Sequence, residues 1–98
     1  FEALEHMKRK IDQTKFDIAI IGCGAYGFNL GAYIKKKGKS AIHLGGATQI
    51  LFGIKGRRFE NLRHYNGFYL KLFNKAWVRP HLKERPTGFS KIENGAYW

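Results

Sequence analysis

The sequence has little of several features that mark particular classes of protein. It holds one cysteine, Cys23, and two prolines in 98 residues. A single thiol excludes an internal disulfide, and one thiol with four scattered histidines does not make a structural zinc site. No apolar run approaches the roughly 18 residues of a membrane-spanning helix, and the first ten residues lack the apolar segment of a signal peptide. We therefore expect a cytoplasmic protein with no membrane span.

Carboxylates are missing from the middle of the chain. The 18 Lys and Arg residues outnumber the 7 Asp and Glu residues to give a net charge of +11, and residues 18–59 contain no Asp or Glu and carry +7. Acid–base pairs and magnesium or manganese sites need carboxylates, so we expect no metal site and no cofactor held by this chain alone. The positive potential suits a phosphate-bearing ligand, a nucleic acid or an acidic surface.

What is present favours a small folded domain. Hydrophobic residues make up 44% and aromatic residues 15% of the chain, which is enough for a packed core. A chain of this size forms one domain that buries only about 60–70% of its unfolded surface. We therefore expect a stabilising partner, either a second copy or a missing N-terminal domain. Because the chain begins with Phe1, we expect the C-terminal part of a longer protein.

The hydrophobic pattern predicts a helix followed by a strand and a second helix. Apolar spacing indicates an amphipathic helix over residues 2–12, ahead of a linker to residue 15. The run FDIAII from Phe16 to Ile21 predicts a strand buried on both faces. The helix FNLGAYIKKK follows a glycine loop, places Phe28, Ala32 and Tyr33 on one side, and ends at Gly38 as a C-cap.

The pattern then repeats, which predicts an α/β fold. A second strand over residues 40–44, a Gly45–Gly46 loop and a helix over residues 47–54 complete a small Rossmann-like β-α-β-α unit with parallel strands over residues 16–58. Since two strands are few for a stable sheet, we expect a third from the tail or from another chain. Residues 59–98 predict a helical and irregular, aromatic-rich extension. Its first part is either one kinked helix or a helix and a turn, from the spacing of Phe59, Leu62, Tyr65, Tyr69 and Phe73 around Gly67.

A glycine motif joins the first strand to the helix after it. Gly22, Gly24 and Gly27 match G-x-G-x-x-G in the strand-to-helix context where such loops bind phosphate. A dinucleotide site needs an acidic residue about 20 residues later, at the end of the next strand. Here the second strand ends in His43-Leu44-Gly45-Gly46, so that acidic residue is missing. This lowers the expectation of a nicotinamide dinucleotide site. The alternative is that Gly24 and Gly27 serve only helix–strand packing.

The second glycine loop strengthens the phosphate hypothesis, because both loops lie at the carboxyl ends of adjacent parallel strands, where open α/β sheets bind ligands. Polar and cationic residues after it add to the predicted site, with a solvated helix end as the alternative for the cations. The predicted phosphate-binding residues are Gly22, Gly24, Tyr26, Gly27, Gly45, Gly46, Thr48, Gln49, Lys55, Arg57 and Arg58.

Four other residues have a functional and a structural interpretation. Cys23 lies near a helix start, a setting that lowers a thiol pKa, but a small residue that fits the turn explains it better. His43 ends a strand and is expected to be a hydrogen-bonded structural histidine. Trp77 and Arg79 suit a stacking surface for a base or a sugar, while the structural alternative has Trp77 filling the edge of the core. No residue is assigned a catalytic role.

The segment from Phe16 to Glu60 resembles the C-terminal part of bacterial glycosyltransferase-like proteins of the GT-D fold class, which are often linked to cell-surface polysaccharide synthesis. The matching pieces are IGCGAYG, KKKGKSAIHLGG and ATQILFGIKGRR, together with WVRP and GAYW in the tail, and the resemblance covers roughly residues 16–98. It implies a nucleotide-sugar-binding α/β lobe with the two glycine loops at the ligand crevice.

The resemblance also implies an acidic Asp-x-Glu element upstream, which would hold a divalent metal and the donor diphosphate. Glu2, Glu5, Asp12 and Asp17 do not match that element, so we expect a lobe that is not catalytic alone. The rival hypothesis is a non-enzymatic domain that binds nucleic acid or an anionic surface, from the charge and from Tyr65, Tyr69 and Trp77 among the basic residues. The sequence does not name the sugar, the acceptor or the oligomeric state.

Overall fold

The computed structural model describes residues 1–61, 63 and 65–98 of a mixed α/β chain. Contacts within the chain divide it into two compact units, Phe1–Thr48 and Gln49–Trp98. The first unit contains helix α1 (Glu2–Gln13), strand β1 (Ile18–Ile21), helix α2 (Gly27–Lys36) and strand β2 (Ser40–His43).

Helix α1 confirms the amphipathic pattern read from the sequence. Leu4 is buried, and Met7 and Ile11 pack beside it against the core. Glu2 and Glu5 lie in the first turn, where negative charge interacts favourably with the helix dipole. The helix therefore covers part of the core with one face and leaves its charged face to water.

The two strands pair in parallel, as predicted, with Ile18 opposite Ser40 and Ile21 opposite His43. The prediction that β1 is buried on both faces is wrong. Ile21 is only 6% exposed, whereas Ile18 on the other face is 60% exposed. The reason is that both covering helices pack on one face, where Leu30 and Ile34 of α2 join Leu4 and Ile21 in the core.

Helix α2 packs on the core through a side other than the one that carries Phe28. Leu30 and Ile34 are buried, whereas Phe28 is 81% exposed. Gly38 adopts a φ of 76°, and the Lys39 N–H donates to the Ile34 carbonyl. The predicted glycine C-cap is therefore confirmed, because a left-handed residue after a helix lets the next amides bond back to its last carbonyls.

The predicted second helix is much shorter than expected. Helix α3 spans Thr48–Leu51, and Gly53 turns the chain with a φ of 69°. The Ile54 N–H then donates back to the Gln49 carbonyl, and Ile54 forms an isolated parallel bridge with Val78. The prediction of a helix over 47–54 is wrong because this turn ends it after one turn.

The second unit is built from single turns. Its α-helix α4 (Arg57–Glu60) buries Phe59, which is 3% exposed. Short 3₁₀ turns follow α4 along the chain. Asn66, with a φ of 50°, interrupts the segment for which the sequence predicts either one kinked helix or a helix and a turn. Leu62, which entered that prediction, lies outside the described residues. The short 3₁₀ turns of this unit are Tyr65–Gly67, Tyr69–Lys71, Leu82–Glu84, Phe89–Lys91 and Glu93–Gly95.

The tail does not supply the expected third strand within the described part of the chain, where the sheet contains β1 and β2. Its backbone hydrogen bonds close short turns and join distant segments in single contacts, such as Val78 N–H to the Gly53 carbonyl and Arg58 N–H to the Ala96 carbonyl. Over the same residues, no helix is long and apolar enough to cross a bilayer.

Candidate phosphate-binding loops

The first glycine loop leads from β1 into α2 through a 3₁₀ turn, Gly24–Tyr26. Gly24 opens that turn with a φ of 50°, a conformation that side chains with a Cβ adopt only at a cost. Tyr26 precedes the first residue of α2 and is 38% exposed. The Gly27 N–H at the start of α2 donates to the Gly24 carbonyl. Helix starts bind anions through those first-turn amides that keep no partner inside the helix.

The second glycine loop has the same construction. It leads from β2 through a 3₁₀ turn, Gly45–Ala47, which contains Gly46, to the helical residue Thr48. Gly45 has a φ of 55°, close to that of Gly24 in the first loop. Two neighbouring strands thus end in turns of the same kind.

The two loops are in contact through Gly22. A Cβ on Gly22 would lie 2.6 Å from the Thr48 Oγ1 and 3.1 Å from the Gly45 carbonyl oxygen. The Thr48 hydroxyl donates to the Ile21 carbonyl at 3.3 Å, and the Leu44 N–H donates to the same oxygen at 3.0 Å. Gly22 is therefore required for the close approach, since real Cβ atoms do not come within 3.0 Å of other heavy atoms.

His43 fixes the start of α2 against β2. Its Nδ1 lies 3.2 Å from the Ile21 carbonyl oxygen, which confirms the expectation of a hydrogen-bonded structural histidine. A Cβ on Gly27 would overlap the imidazole, with Nδ1 only 2.6 Å away. Gly27 thus has a packing role, which agrees with the alternative interpretation of the glycine motif as helix–strand packing. The Phe28 ring also contacts the His43 imidazole in an edge-to-face arrangement, with 5.2 Å between the ring centres.

Gly24 and Gly45, the positive-φ glycines of the two loops, face open space. A Cβ on Gly24 or Gly45 would have no heavy atom within 4 Å. Neither glycine is therefore explained by packing against its surroundings, unlike Gly22 and Gly27. The open space beside Gly24 and Gly45 leaves room for a ligand at both turns.

The polar and cationic residues after the loops belong to the second unit. The Gln49 amide donates to the Ile54 and Tyr97 carbonyls at 3.3 and 3.5 Å. The Lys55 Nζ lies 5.6 Å above the Phe73 ring. These contacts give both side chains structural partners inside their own unit.

Arg57 and Arg58 line a cavity of about 390 Å³ whose other lining residues are Asn61, Glu93, Asn94 and Ala96. The Arg58 Nη1 lies 2.7 Å from a Glu93 carboxylate oxygen and 2.7 Å from the Tyr97 hydroxyl. Burial raises the pKa of Tyr97, against the opposing effect of the Arg58 charge. Arg58 is thus held in a network, while Arg57 reaches the Asn94 carbonyl at 3.5 Å.

Trp77 and Arg79, the predicted stacking pair, have separate neighbours. The Trp77 ring is half-buried against Phe73 at 4.9 Å between ring centres. The Arg79 guanidinium forms an ion pair with Glu60. A stacking surface made of these two residues stays a prediction.

Cys23 lies in the first loop and is half-buried. Burial raises the pKa of its thiol. The structure therefore favours the small-residue explanation over a reactive thiolate.

Sequence reasoning missed a groove on the outer side of α2. This groove has a volume of about 430 Å³ and is lined by Gly27, Phe28, Gly31, Ala32, Lys35, Lys39, Ser40, Ala41 and His43. The signal was present in the sequence, since Phe28, Ala32 and Lys35 recur at helical spacing. The groove was not predicted because an aromatic residue in a short helix is usually interpreted as part of the hydrophobic core.

Across residues 1–61, 63 and 65–98, no group of three or more His, Cys, Asp or Glu side chains is placed to hold a metal ion. Comparison of the chain with protein-family models, with curated proteins and with solved structures gives no match.

Proposed function

We propose that the paired glycine loops bind the phosphate groups of a nucleotide-sugar or a related phosphate ligand. One observation carries the proposal. The loops after two adjacent parallel strands touch at Gly22, while Gly24 and Gly45, both at positive φ, face open space. This is the edge at which ligands of open α/β sheets bind.

The charge of the surrounding chain supports an anionic ligand. Residues 18–59 contain no carboxylate, so no negative side chain from this segment opposes a phosphate. Backbone amides at a helix start bind such groups without a side chain. In this proposal the loops and α2 form a small Rossmann-like unit. The phosphate contacts expected from the sequence for Lys55, Arg57 and Arg58, which belong to the second unit, stay a prediction.

The proposed parent is a glycosyltransferase-like protein of surface polysaccharide biosynthesis, in which this chain is the nucleotide-sugar-binding lobe. The chain supplies binding rather than chemistry, because its middle has no carboxylate for acid–base catalysis. A divalent metal would need residues upstream of this segment.

The test is a thermal-shift titration of the chain with UDP, GDP, their sugars and inorganic phosphate. Selective binding raises the melting temperature, and a ligand at about one hundred times its Kd stabilises by about 2.7 kcal/mol. Gly24→Val should abolish the rise because its side chain occupies the open space. Absence of any rise in the wild-type chain contradicts the proposal.

Gly38→Val is the matched control. Gly38 has a φ of 76° and open space around it, like Gly24, but it lies at the opposite end of α2. Both substitutions carry the same backbone strain, so only the loss of ligand binding separates them. Equal loss in both variants would show that strain, not a blocked site, removed the binding.

The second candidate is a binder of nucleic acid or anionic surfaces, favoured by the lysines of α2 that have no ion pair within the described residues, Lys35 and Lys36. It predicts that affinity for a short oligonucleotide falls steeply with salt. A selective response to nucleoside diphosphates at moderate salt favours the first candidate instead.

A further inference from the structure

Within the described residues β2 pairs only with β1, so its other edge carries backbone hydrogen-bonding groups that no strand uses. The Ser40 N–H donates to the Asp17 carbonyl and the Leu44 N–H to the Ile21 carbonyl, so these amides point towards β1. Because successive amides of a strand point to opposite sides, those of Ala41 and His43 point away from β1. An exposed strand edge of this kind pairs with an extended peptide.

Helix α2 forms a wall beside that edge. The groove of about 430 Å³ lies between the outer side of α2 and β2, and Ala41 and His43 line it. The small residues Gly31 and Ala32 also line it, so a second backbone can approach the helix closely. Phe28, 81% exposed, gives an apolar surface at one end of the groove.

Two lysines define the other end. Lys35 and Lys39 line the groove, and within the described residues neither forms an ion pair. The Lys39 Nζ lies 4.1 Å above the ring of Phe16, just ahead of β1. An acidic side chain at this end would meet both charges.

We propose that the groove binds an extended acidic peptide segment of a partner protein, which adds to β2 as a third strand. An apolar side chain of the segment covers Phe28, and an acidic side chain lies between Lys35 and Lys39. Phe28 and Lys35 are seven residues apart on α2, or about 10 Å along the helix. That distance equals about three residues of strand, so the apolar and acidic residues stand two to four positions apart.

Charge selects an acidic partner over a second copy of the chain. Each copy carries +11, so pairing two β2 edges would bring like charges together. An acidic segment instead neutralises Lys35 and Lys39. The strand it adds would also extend a sheet that has two strands in the described part of the chain, and three or more strands are more stable than two.

The experiment uses the full chain and fluorescein-labelled eight-residue peptides that alternate threonine with valine. One peptide ends in two glutamates, a second begins with them, and a third has lysines in their place. Fluorescence polarisation at about 0.15 M salt should show saturable binding of one glutamate peptide and none of the lysine peptide. Absence of saturable binding for both glutamate peptides up to about 1 mM overturns the proposal.

Charge reversal locates the site. The double variant Lys35→Glu/Lys39→Glu should lose roughly tenfold in affinity because both charges face the acidic side chain. Lys36→Glu is the matched control, since it reverses a charge on the same helix outside the groove, and it should change affinity less than about twofold. An equal loss for Lys35→Glu and Lys36→Glu as single variants would indicate unspecific attraction and overturn the proposal.

Amide exchange distinguishes strand addition from surface attraction. On binding, exchange of the Ala41 and His43 amides should slow, because they become hydrogen-bonded to the peptide. Ala41→Pro, which removes an outward-pointing donor, should abolish binding, and Ala41→Ser, which keeps the donor, should retain it. Far-UV circular dichroism checks that both variants fold. Unchanged exchange at Ala41 and His43 in the saturated complex would overturn strand addition.

Discussion

The two units of the chain use different means to hold their backbone. In the first, α1 and α2 cover one face of a parallel sheet and bury a contiguous core of Leu4, Ile21, Leu30 and Ile34. In the second, single turns follow one another, and Phe59 packs edge to face on Tyr69 at 5.2 Å. Regular periodicity thus produces a core shared by helices and strands, whereas the aromatic-rich, aperiodic stretch is held by short turns and by single backbone contacts between distant segments.

Side-chain ion pairs join segments that are distant in sequence in both units, but they connect different kinds of element. In the first unit they link the ends of elements, as where the Lys37 Nζ meets an Asp12 oxygen at 2.5 Å. In the second they tie one turn to another distant in sequence, as where Arg58 reaches Glu93. Truncating a buried apolar side chain should therefore lower the free energy of unfolding most in the first unit.

The largest expected effect is that of Ile34→Ala. Ile34 is 1% exposed at the centre of the first core, so truncation leaves a cavity and costs about 2–5 kcal/mol. Urea denaturation followed by far-UV circular dichroism measures the loss, since α1 and α2 supply the longest helices. Ile42→Ala, at a residue 48% exposed, should cost less than about 1 kcal/mol. Equal losses would contradict the assignment of the core.

Gly27→Ala should cost about 1–3 kcal/mol, because the new Cβ overlaps the His43 imidazole. His43→Ala removes that ring, so the double variant should be less destabilised than the sum of the two single variants. Gly31→Ala, in the same helix with ordinary contact distances, should instead stabilise by about 0.4–1 kcal/mol. Additive effects of Gly27→Ala and His43→Ala in thermal denaturation would contradict this contact.

Phe59→Leu tests the second unit and should cost about 1–2 kcal/mol through the lost aromatic pair with Tyr69 and altered packing. Trp77 and Trp98 both lie in this unit, so tryptophan fluorescence reports its unfolding. The variant should lower the midpoint measured by fluorescence. An unchanged midpoint would show that Phe59 packing does not stabilise the unit.

The smallest expected effect concerns pH. The hydrogen bond from Lys37 and then that from Tyr33 lower the pKa of Asp12, and the Asp12 contact raises the pKa of Lys37. The stabilisation of the folded state by the Asp12 carboxylate is therefore fully present above its ordinary pKa of 3.8. It is lost as the pH falls through the lower pKa of the folded state. The Lys37 contribution is present below 10.5 and is lost as pH rises through its higher folded value.

Asp12→Asn should therefore flatten both limbs of the melting temperature measured against pH, by a small amount because the pair is exposed. NMR titration of Asp12 should give a pKa below 3.8. Asp17→Asn serves as the control, since the Asp17 side chain forms no ion pair within the described residues. A wild-type chain with an Asp12 pKa at or above its ordinary value would contradict the contact.

The sequence predicted the elements whose signals are local. The helical spacing of Leu4, Met7 and Ile11 predicted α1. The short β-branched run that ends at Ile21 before a glycine loop predicted β1, because its length, composition and flanking residues favour a strand. Gly38 predicted the end of α2. Of the candidate site, the convergence of two glycine loops followed from strand order, because parallel neighbours end at the same edge of a sheet.

Packing and long-range contacts decided the rest. Which face of the sheet is covered depends on where α1 and α2 pack, and the sequence of β1, apolar at every position, does not specify it. The roles of Gly22 and Gly27 depend on partners about 20 residues away, and Arg58 meets Glu93 after a separation of 35 residues. Such contacts leave no periodic signal in the chain, so only the tertiary structure separates the packing glycines from the open ones.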